Sequence, residues 1–298
     1  MKIEKQEKID IGSDMFVKLK TCGNVSEIKY NTNPSHGGCT RKLDADTYEN
    51  LKTGEILEFN HHENRASDKY QLARTMEKLR DLINTNVVNV ECCRWLTLTY
   101  RENMRDSKKL YHDFRNCVKR LRAKFGKFEY IAVVEPQERG AWHLHCIFIF
   151  DGKAPYMPNE VVADCWKKGF VNVKALDSVD NVGAYLTAYL CDIQLSDDDK
   201  NNYSDDDLKV IKIDHADGSI ETKRYLKGGR MHLYPPKFNL YRISKGIKQP
   251  VIEEMTYGEA KQKVSSAKLT FCKTINISDC NSGYSTTLQK EYYNKLRR

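Results

Sequence analysis

Residues 142–150 (WHLHCIFIF) limit the possible folds more than any other part of the chain. Side chains of a β-strand point alternately to the two faces of a sheet, so His143 and His145 share one face. The residues between and beyond them are Trp, Leu, Cys, Phe and Phe, which need a hydrophobic core. The pattern predicts a sheet that is covered by helices on one face and presents two imidazoles on the other.

The neighbouring segments predict the rest of a small sheet. Residues 92–100 (CCRWLTLTY), 129–135 (EYIAVVE) and 170–176 have the composition of strands, and the turn at 136–141 predicts a hairpin. Residues 108–125 repeat apolar side chains at helical spacing, and helices are expected at 159–168 and from Ser178 to about Cys191. The order β-α-β-β-α-β-α favours an α+β fold, a ferredoxin-like (RRM-like) antiparallel sheet backed by helices.

The regions on either side are treated as N- and C-terminal additions, which divides the chain into residues 1–90, 91–195 and 196–298. In the first region, only a helix at 67–84 has a clear apolar spacing. In the last, residues 208–226 predict a hairpin that turns at Asp217-Gly218. A helix around 257–267, a short strand and a terminal helix from about Thr286 are expected to follow.

The net charge of +8 is unevenly distributed. Residues 101–127 contain ten Lys or Arg against three Asp or Glu, and residues 222–250 contain eight Lys or Arg and no acid. An acidic segment around 197–207 separates these two zones. This pattern is typical of a protein with a polyanionic partner, although an ordinary solvated surface is an equally good interpretation of charge alone.

The chain contains ten cysteines at irregular spacing and no Cys-x-x-Cys pair. Its first residues are polar, and no run approaches the roughly 20 apolar residues that a membrane span needs. We therefore expect a cytoplasmic protein with reduced, mostly buried cysteines and no membrane partner.

The two histidines of residues 142–150 predict a metal site. Two imidazoles on a rigid strand can chelate a divalent cation, but such a site needs a further ligand. Glu135 ends the preceding strand, where the hairpin brings it beside the histidines, and Glu138 in the turn is the alternative. Carboxylate and water ligands favour Mg²⁺ or Mn²⁺, whereas imidazole alone would also suit zinc. If no metal binds, His143 and His145 are simply polar residues on a solvent-facing side.

Residues 181–190 (NVGAYLTAYL) carry two tyrosines four positions apart. Residues i and i+4 of a helix lie on one face, so Tyr185 and Tyr189 are expected to present their phenols together. The alternative is an aromatic stripe that packs on the sheet.

Three segments together resemble a known superfamily. Residues 95–100 (WLTLTY), 138–150 (ERGAWHLHCIFIF) and 181–190 are similar, in this order, to the three motifs of HUH endonucleases. The resemblance is greatest to rolling-circle replication initiator (Rep) proteins of bacterial plasmids, integrative elements and single-stranded DNA phages. Residues 41–48 (RKLDADTY) and 234–247 (YPPKFNLYRISKGI) also resemble replication proteins of bacterial plasmids and phages.

The resemblance implies an HUH endonuclease fold and a role for each motif residue. His143, His145 and Glu135 match the metal ligands, and Tyr185 and Tyr189 match the nucleophiles. Relatives often carry a lysine three residues after each tyrosine, but this chain has Ala188 and Asp192 there. Which tyrosine attacks therefore stays open, as does whether another basic residue replaces the lysine.

The implied activity is a metal-dependent nick in one DNA strand at an origin. It leaves a 5′-phosphotyrosine and a free 3′-OH, and the enzyme later rejoins the strand. The chain has no G-x-x-x-x-G-K-[ST] segment, so a host helicase and a host DNA polymerase are expected as partners. Residues 1–90 are assigned to origin recognition. Expected DNA contacts come from the basic residues Arg139, Lys119, Arg122, Lys237, Arg242 and Lys245.

Three alternatives remain. A conjugative relaxase usually has its tyrosine before the histidine motif, whereas here it follows. A single-stranded DNA transposase has the same motif order but a much shorter chain. A non-catalytic, RRM-like nucleic-acid-binding module would have no use for the convergence of Glu135, His143 and His145.

Overall fold

The computed structural model describes residues 2–34, 40–51, 53–59, 69–136, 140–176, 181–184, 187, 193–194, 208–214, 220–226, 234, 238–279 and 284–297. The chain separates into two compact units. The terminal unit consists of Met1–Thr21, Val25–Glu63 and Val251–Arg298, and the central unit of Cys22–Asn24 and Asn64–Pro250. None of the described helices is long and apolar enough to cross a membrane.

The strands, in chain order, are β1 (Lys2–Gln6), β2 (Phe16–Cys22), β3 (Val25–Asn31), β4 (Thr40–Lys42), β5 (Thr47–Asn50), β6 (Ile56–Glu58), β7 (Cys93–Thr99), β8 (Glu129–Pro136), β9 (Trp142–Ile149), β10 (Val171–Ala175), β11 (Ile193–Gln194), β12 (Leu208–Asp214), β13 (Ile220–Leu226), β14 (Tyr241–Ile243), β15 (Val251–Thr256), β16 (Lys268–Asp279) and β17 (Tyr284–Asn294). The helices are α1 (Lys69–Asn86), α2 (Ser107–Phe125), α3 (Asn159–Trp166) and α4 (Tyr257–Lys263), with a 3₁₀ turn at Val90–Cys92.

The central unit contains an antiparallel sheet with the strand order β10-β7-β9-β8-β14. The chain builds its first four strands as β7-α2-β8-β9-α3-β10, which matches the predicted succession of strands and helices. In space these four strands lie in the order fourth, first, third, second. The α+β class is thereby confirmed, and this order is compatible with a ferredoxin-like arrangement.

Helix α2 covers the apolar face of this sheet. Asp106 caps its first turn by accepting hydrogen bonds from two backbone amides, and Gly126 ends it with a positive φ of 82°. The buried residues of α2 face the sheet, where the Phe114 ring packs edge-on against Tyr130. Phe148 of β9 stacks on Phe128 in the same layer, with ring centroids 4.3 Å apart. The expected division of β9 into an apolar and a histidine face is therefore present.

A helical turn at residues 182–184 contacts α1. The backbone amide of Gly183 donates to the Oδ1 atom of Asn84 over 2.8 Å, and the Asn84 side-chain amide donates to Asn181. Val182 is buried in the same core. The expected helix from Ser178 to Cys191 is described only at 181–184 and 187, so the structure does not test its other residues.

The terminal unit is built on an antiparallel sheet with the strand order β1-β16-β17-β3-β2-β15. Helix α4 packs on one face through Ala260 and Val264, which join a core with Val17, Leu19 and Ile28. A capping box between Thr256 and Glu259 begins this helix. The helix predicted around 257–267 is confirmed.

The helix predicted from about Thr286 is wrong, because the structure has β17 there. Gln289, Glu291 and Tyr293 are buried at every second position, as in a strand with one covered face. The predicted hairpin of residues 208–226 is confirmed by the pairing of β12 with β13, while its turn at 217–218 lies outside the described residues. A small sheet in the order β4-β5-β6 completes the described strands of the terminal unit.

Candidate metal centre

Strand pairing places Glu135, His143 and His145 on one face of the central sheet. In the hairpin of β8 and β9, Glu135 lies directly opposite His143. His145 is two residues further along β9 and therefore points to the same side. Because the hairpin fixes this register, the carboxylate and both imidazoles are held by rigid backbone.

The ligand-forming atoms of these three residues converge. The Oε2 atom of Glu135 lies 2.8 Å from Nε2 of His143 and 2.7 Å from Nε2 of His145. The two Nε2 atoms are 2.9 Å apart. Glu135 is fully buried, His145 is 5% exposed and His143 is half-buried. The three side chains thus form a compact group that opens outward at His143 and can hold a metal ion.

Burial keeps both imidazoles neutral. It lowers the pKa of His143 to about 4, and burial together with the neighbouring His143 lowers the pKa of His145 to about 3. A neutral imidazole has a lone pair available for a metal, whereas a protonated one does not. At neutral pH the site therefore offers two nitrogen ligands and one carboxylate oxygen.

The spacing of the three atoms indicates a coordination geometry. Neighbouring ligands at about 2.1 Å from an octahedral ion are about 3.0 Å apart, and tetrahedral ligands at this bond length are about 3.4 Å apart. The observed separations of 2.7, 2.8 and 2.9 Å fit three neighbouring positions of an octahedral ion better. Three further positions would remain for water and substrate oxygens.

Two residues of β7 support His145 from the side away from the ligand atoms. The Oγ1 atom of Thr97 lies 3.2 Å from Nδ1 of His145. The Trp95 ring stacks on the imidazole, with centroids 5.2 Å apart and planes inclined by 23°. Neither residue is assigned a role at the site by the sequence analysis. The alternation of Trp95 and Thr97 in residues 95–100 was the available signal, but only the pairing of β7 with β9 identifies their partner.

The remaining predicted site residues are not brought to this group. Lys119 and Arg122 lie on the exposed side of α2, and the Arg122 guanidinium donates to the carbonyl of Phe128 over 2.6 Å. Arg242 of β14 packs over the Tyr111 ring of α2 at 4.1 Å, on the sheet face opposite the histidines. Lys245 is exposed in the turn that follows β14. The proposed nucleophiles Tyr185 and Tyr189 lie outside the described residues, as do Arg139 and Lys237.

One family model matches the part of the chain that contains this group. Residues 93–194 match a family of replication-associated proteins, the ORF2 family. The match covers about a third of the chain and includes all three metal-site residues and both tyrosines. No curated protein and no solved structure matches the chain. The family match supports a role in DNA replication.

Proposed function

We propose that the chain is a rolling-circle replication initiator of the HUH type, a metal-dependent enzyme that nicks and rejoins one DNA strand. The observation that carries this proposal is the convergence of Glu135, His143 and His145 within the segment that matches a replication-associated family. A nucleic-acid-binding module without catalysis would not require a buried carboxylate between two neutral imidazoles.

The ligand set suits Mg²⁺ or Mn²⁺. Its buried carboxylate oxygen and the octahedral spacing match the preference of these ions, and the open positions leave room for a phosphate oxygen. When bound, such an ion would polarise the scissile phosphate and stabilise the negative charge that develops on it. Glu135, His143 and His145 hold the ion and fix its position on the rigid hairpin.

The proposed nucleophile is the phenol oxygen of Tyr185 or Tyr189. It attacks the phosphorus and forms a 5′-phosphotyrosine, while the bond from phosphorus to the 3′-oxygen breaks. The phenol gives up its proton to solvent, and the leaving 3′-oxygen takes one up as a free 3′-OH. The reverse attack by a 3′-OH rejoins the strand without ATP, because the phosphotyrosine retains the energy of the phosphodiester bond. Host polymerase and helicase complete the proposed cycle.

The test is nicking of a supercoiled plasmid that carries the protein's own origin. With Mn²⁺, the purified chain is expected to convert the plasmid to open circles, and EDTA is expected to prevent this. Replacing both ligands in His143→Ala/His145→Ala is expected to abolish nicking while leaving DNA binding largely intact.

His112→Ala is the matched control, because His112 is an exposed histidine of α2 that contacts Asn116 away from the metal centre. It is expected to nick at the wild-type rate. Nicking that survives in the double variant would refute the metal-dependent mechanism. DNA binding without nicking by the wild-type protein in Mg²⁺, Mn²⁺ or Zn²⁺ would favour the non-catalytic module.

A further inference from the structure

The sheet of the terminal unit has a second face, opposite the one that α4 covers. Val17, Leu19 and Ile28 point toward α4, so the alternate residues of the same strands point away from it. These alternate positions carry five lysines, namely Lys18, Lys20, Lys29, Lys273 and Lys290. We call them the lysine face. Among the described side chains, only Glu27 and Glu254 add negative charge there.

Four of these lysines form a row across four strands. Lys273 lies opposite Lys290, and Lys290 lies opposite Lys29. The two-residue turn at positions 23 and 24 joins β2 to β3, and this register sets Lys18 opposite Lys29. Like charges directly opposite each other destabilise a sheet. A row of this kind therefore costs folding stability, and an anionic partner would repay that cost.

The two glutamates offset only part of the charge. Glu27 accepts ion pairs from Lys20 at 3.1 Å and from Lys290 at 3.5 Å, and Glu254 pairs with Lys18 at 2.9 Å. Glu27 is buried between its partners. Five lysines against two glutamates leave this face positively charged, with Lys18 and Lys273 the most exposed of the row.

Aromatic rings lie beside the lysine row. Phe271 pairs with Tyr292 across β16 and β17, with ring centroids 5.9 Å apart, at the position next to Lys273 and Lys290. The Phe271 side chain is 55% exposed, and Phe16 at the start of β2 is 75% exposed. Exposed rings next to a line of cationic groups are typical of surfaces that bind single-stranded nucleic acid, where phosphates meet lysines and bases stack on rings.

We infer that the lysine face binds single-stranded DNA, separately from the metal centre of the central unit. Only the choice of DNA as the nucleic acid rests on the proposed function. The lysines would neutralise successive phosphates, and Phe271 would offer a stacking platform to a base. This surface carries no group of described metal ligands, so it holds the strand without cutting it.

The inference is tested by fluorescence anisotropy on the full chain with a labelled oligo-dT of about 30 nucleotides, in EDTA and over a range of salt concentrations. Lys18→Gln/Lys273→Gln is expected to bind roughly 25-fold more weakly at about 0.1 M salt. Its log–log salt slope is expected to fall by about 1.4, since each lost phosphate contact on a single strand contributes about 0.7. The variant should melt no lower than wild type, because it removes like charges from the row.

The matched control is Lys263→Gln/Lys295→Gln, which removes the same charge from exposed positions of the same unit away from this face. It is expected to keep the wild-type salt slope. A second variant, Phe271→Leu, keeps an apolar side chain but removes the ring, and it is expected to weaken oligo-dT binding about tenfold.

Two outcomes would overturn the inference: equal binding by the lysine variant and its control, or a loss confined to duplex DNA. Plasmid nicking with Mn²⁺ is measured on the same proteins. Absent nicking combined with the expected salt slopes would count against the proposed function alone, while normal nicking with unchanged slopes would count against this surface alone.

Discussion

The hydroxyl oxygen of Thr97 lies 3.2 Å from Nδ1 of His145, on the opposite edge of the ring from the Nε2 atom that faces Glu135. A partner at Nδ1 fixes both the orientation and the tautomer of the imidazole, so that Nε2 presents its lone pair to a metal. Because β7 and β9 are adjacent strands, the sheet itself sets this contact.

We expect Thr97→Val to reduce Mn²⁺ affinity by roughly 10- to 100-fold, the usual effect of losing a partner of a metal-ligating histidine. Valine keeps the shape of threonine, so the melting temperature without metal should change little. Thr99→Val is the control, since Thr99 lies on the same strand face but donates its hydroxyl to the carbonyl of Phe170. Calorimetric titration with Mn²⁺ decides, and equal affinities of the two variants would remove Thr97 from the site.

Glu135→Gln tests the carboxylate ligand. Glutamine has the same size but carries no charge, so the variant should fold yet gain no stability from Mn²⁺. A bound ion stabilises the native state by about 2.7 kcal/mol at 100 times its dissociation constant, and removal of the ion by EDTA reverses this. Thermal melts of wild type and variant, with and without Mn²⁺, measure the difference. A full metal-dependent rise in the melting temperature of the variant would exclude Glu135 as a ligand.

Gly183 is the tightest contact between α1 and the turn that precedes Tyr185. A Cβ atom at this position would lie 2.5 Å from the carbonyl oxygen of Arg80 and 2.7 Å from Oδ1 of Asn84. Gly183→Ala must therefore displace this turn, and we expect a loss of roughly 1–3 kcal/mol in the free energy of unfolding. Nicking should fall as well, because the displaced turn leads directly into the proposed nucleophile.

Gly152→Ala provides the comparison, because a Cβ atom there meets no atom within 4 Å. Urea unfolding and plasmid nicking are measured on both variants. A Gly183→Ala protein with wild-type stability would show that the turn accommodates the methyl group.

The sequence predicted the metal centre well because its parts are local. The alternation of His143 and His145 is a property of one strand, and a hairpin brings Glu135 opposite His143 without any long-range information. The support from Thr97 was not predictable in the same way. It depends on β7 lying next to β9, two strands separated in the sequence by α2 and β8.

The terminal unit shows where local patterns fail. Its sheet joins β1 near the start of the chain to β16 near the end, a pairing that no single segment indicates. Residues 286–295 contain Leu288, Gln289, Lys290 and Glu291, which all favour helices intrinsically, and this composition produced the wrong prediction there. Pairing of β17 with strands on both sides overrides that preference.

The two tyrosines decide the proposed mechanism. Replacement by phenylalanine removes only the hydroxyl and keeps the ring, so a packing role predicts little change from Tyr185→Phe or Tyr189→Phe. A nucleophilic role predicts that the double variant is folded, binds DNA and cannot cleave. If the two act in turn, each single variant should retain some first-strand cleavage but fail to release closed single-stranded circles.

The attached residue is identified by trapping a cleaved origin oligonucleotide and locating it by mass spectrometry. Attack by either phenol leaves the 5′-phosphate covalently bound to Tyr185 or Tyr189, and we expect slightly more adduct on Tyr185, which lies nearer the start of its helix, where the helix dipole favours a phosphate. Because this effect fades within about one turn, the two tyrosines should differ only modestly. An adduct on a residue other than these two, or cleavage without any adduct, would replace the covalent mechanism with direct hydrolysis or another nucleophile.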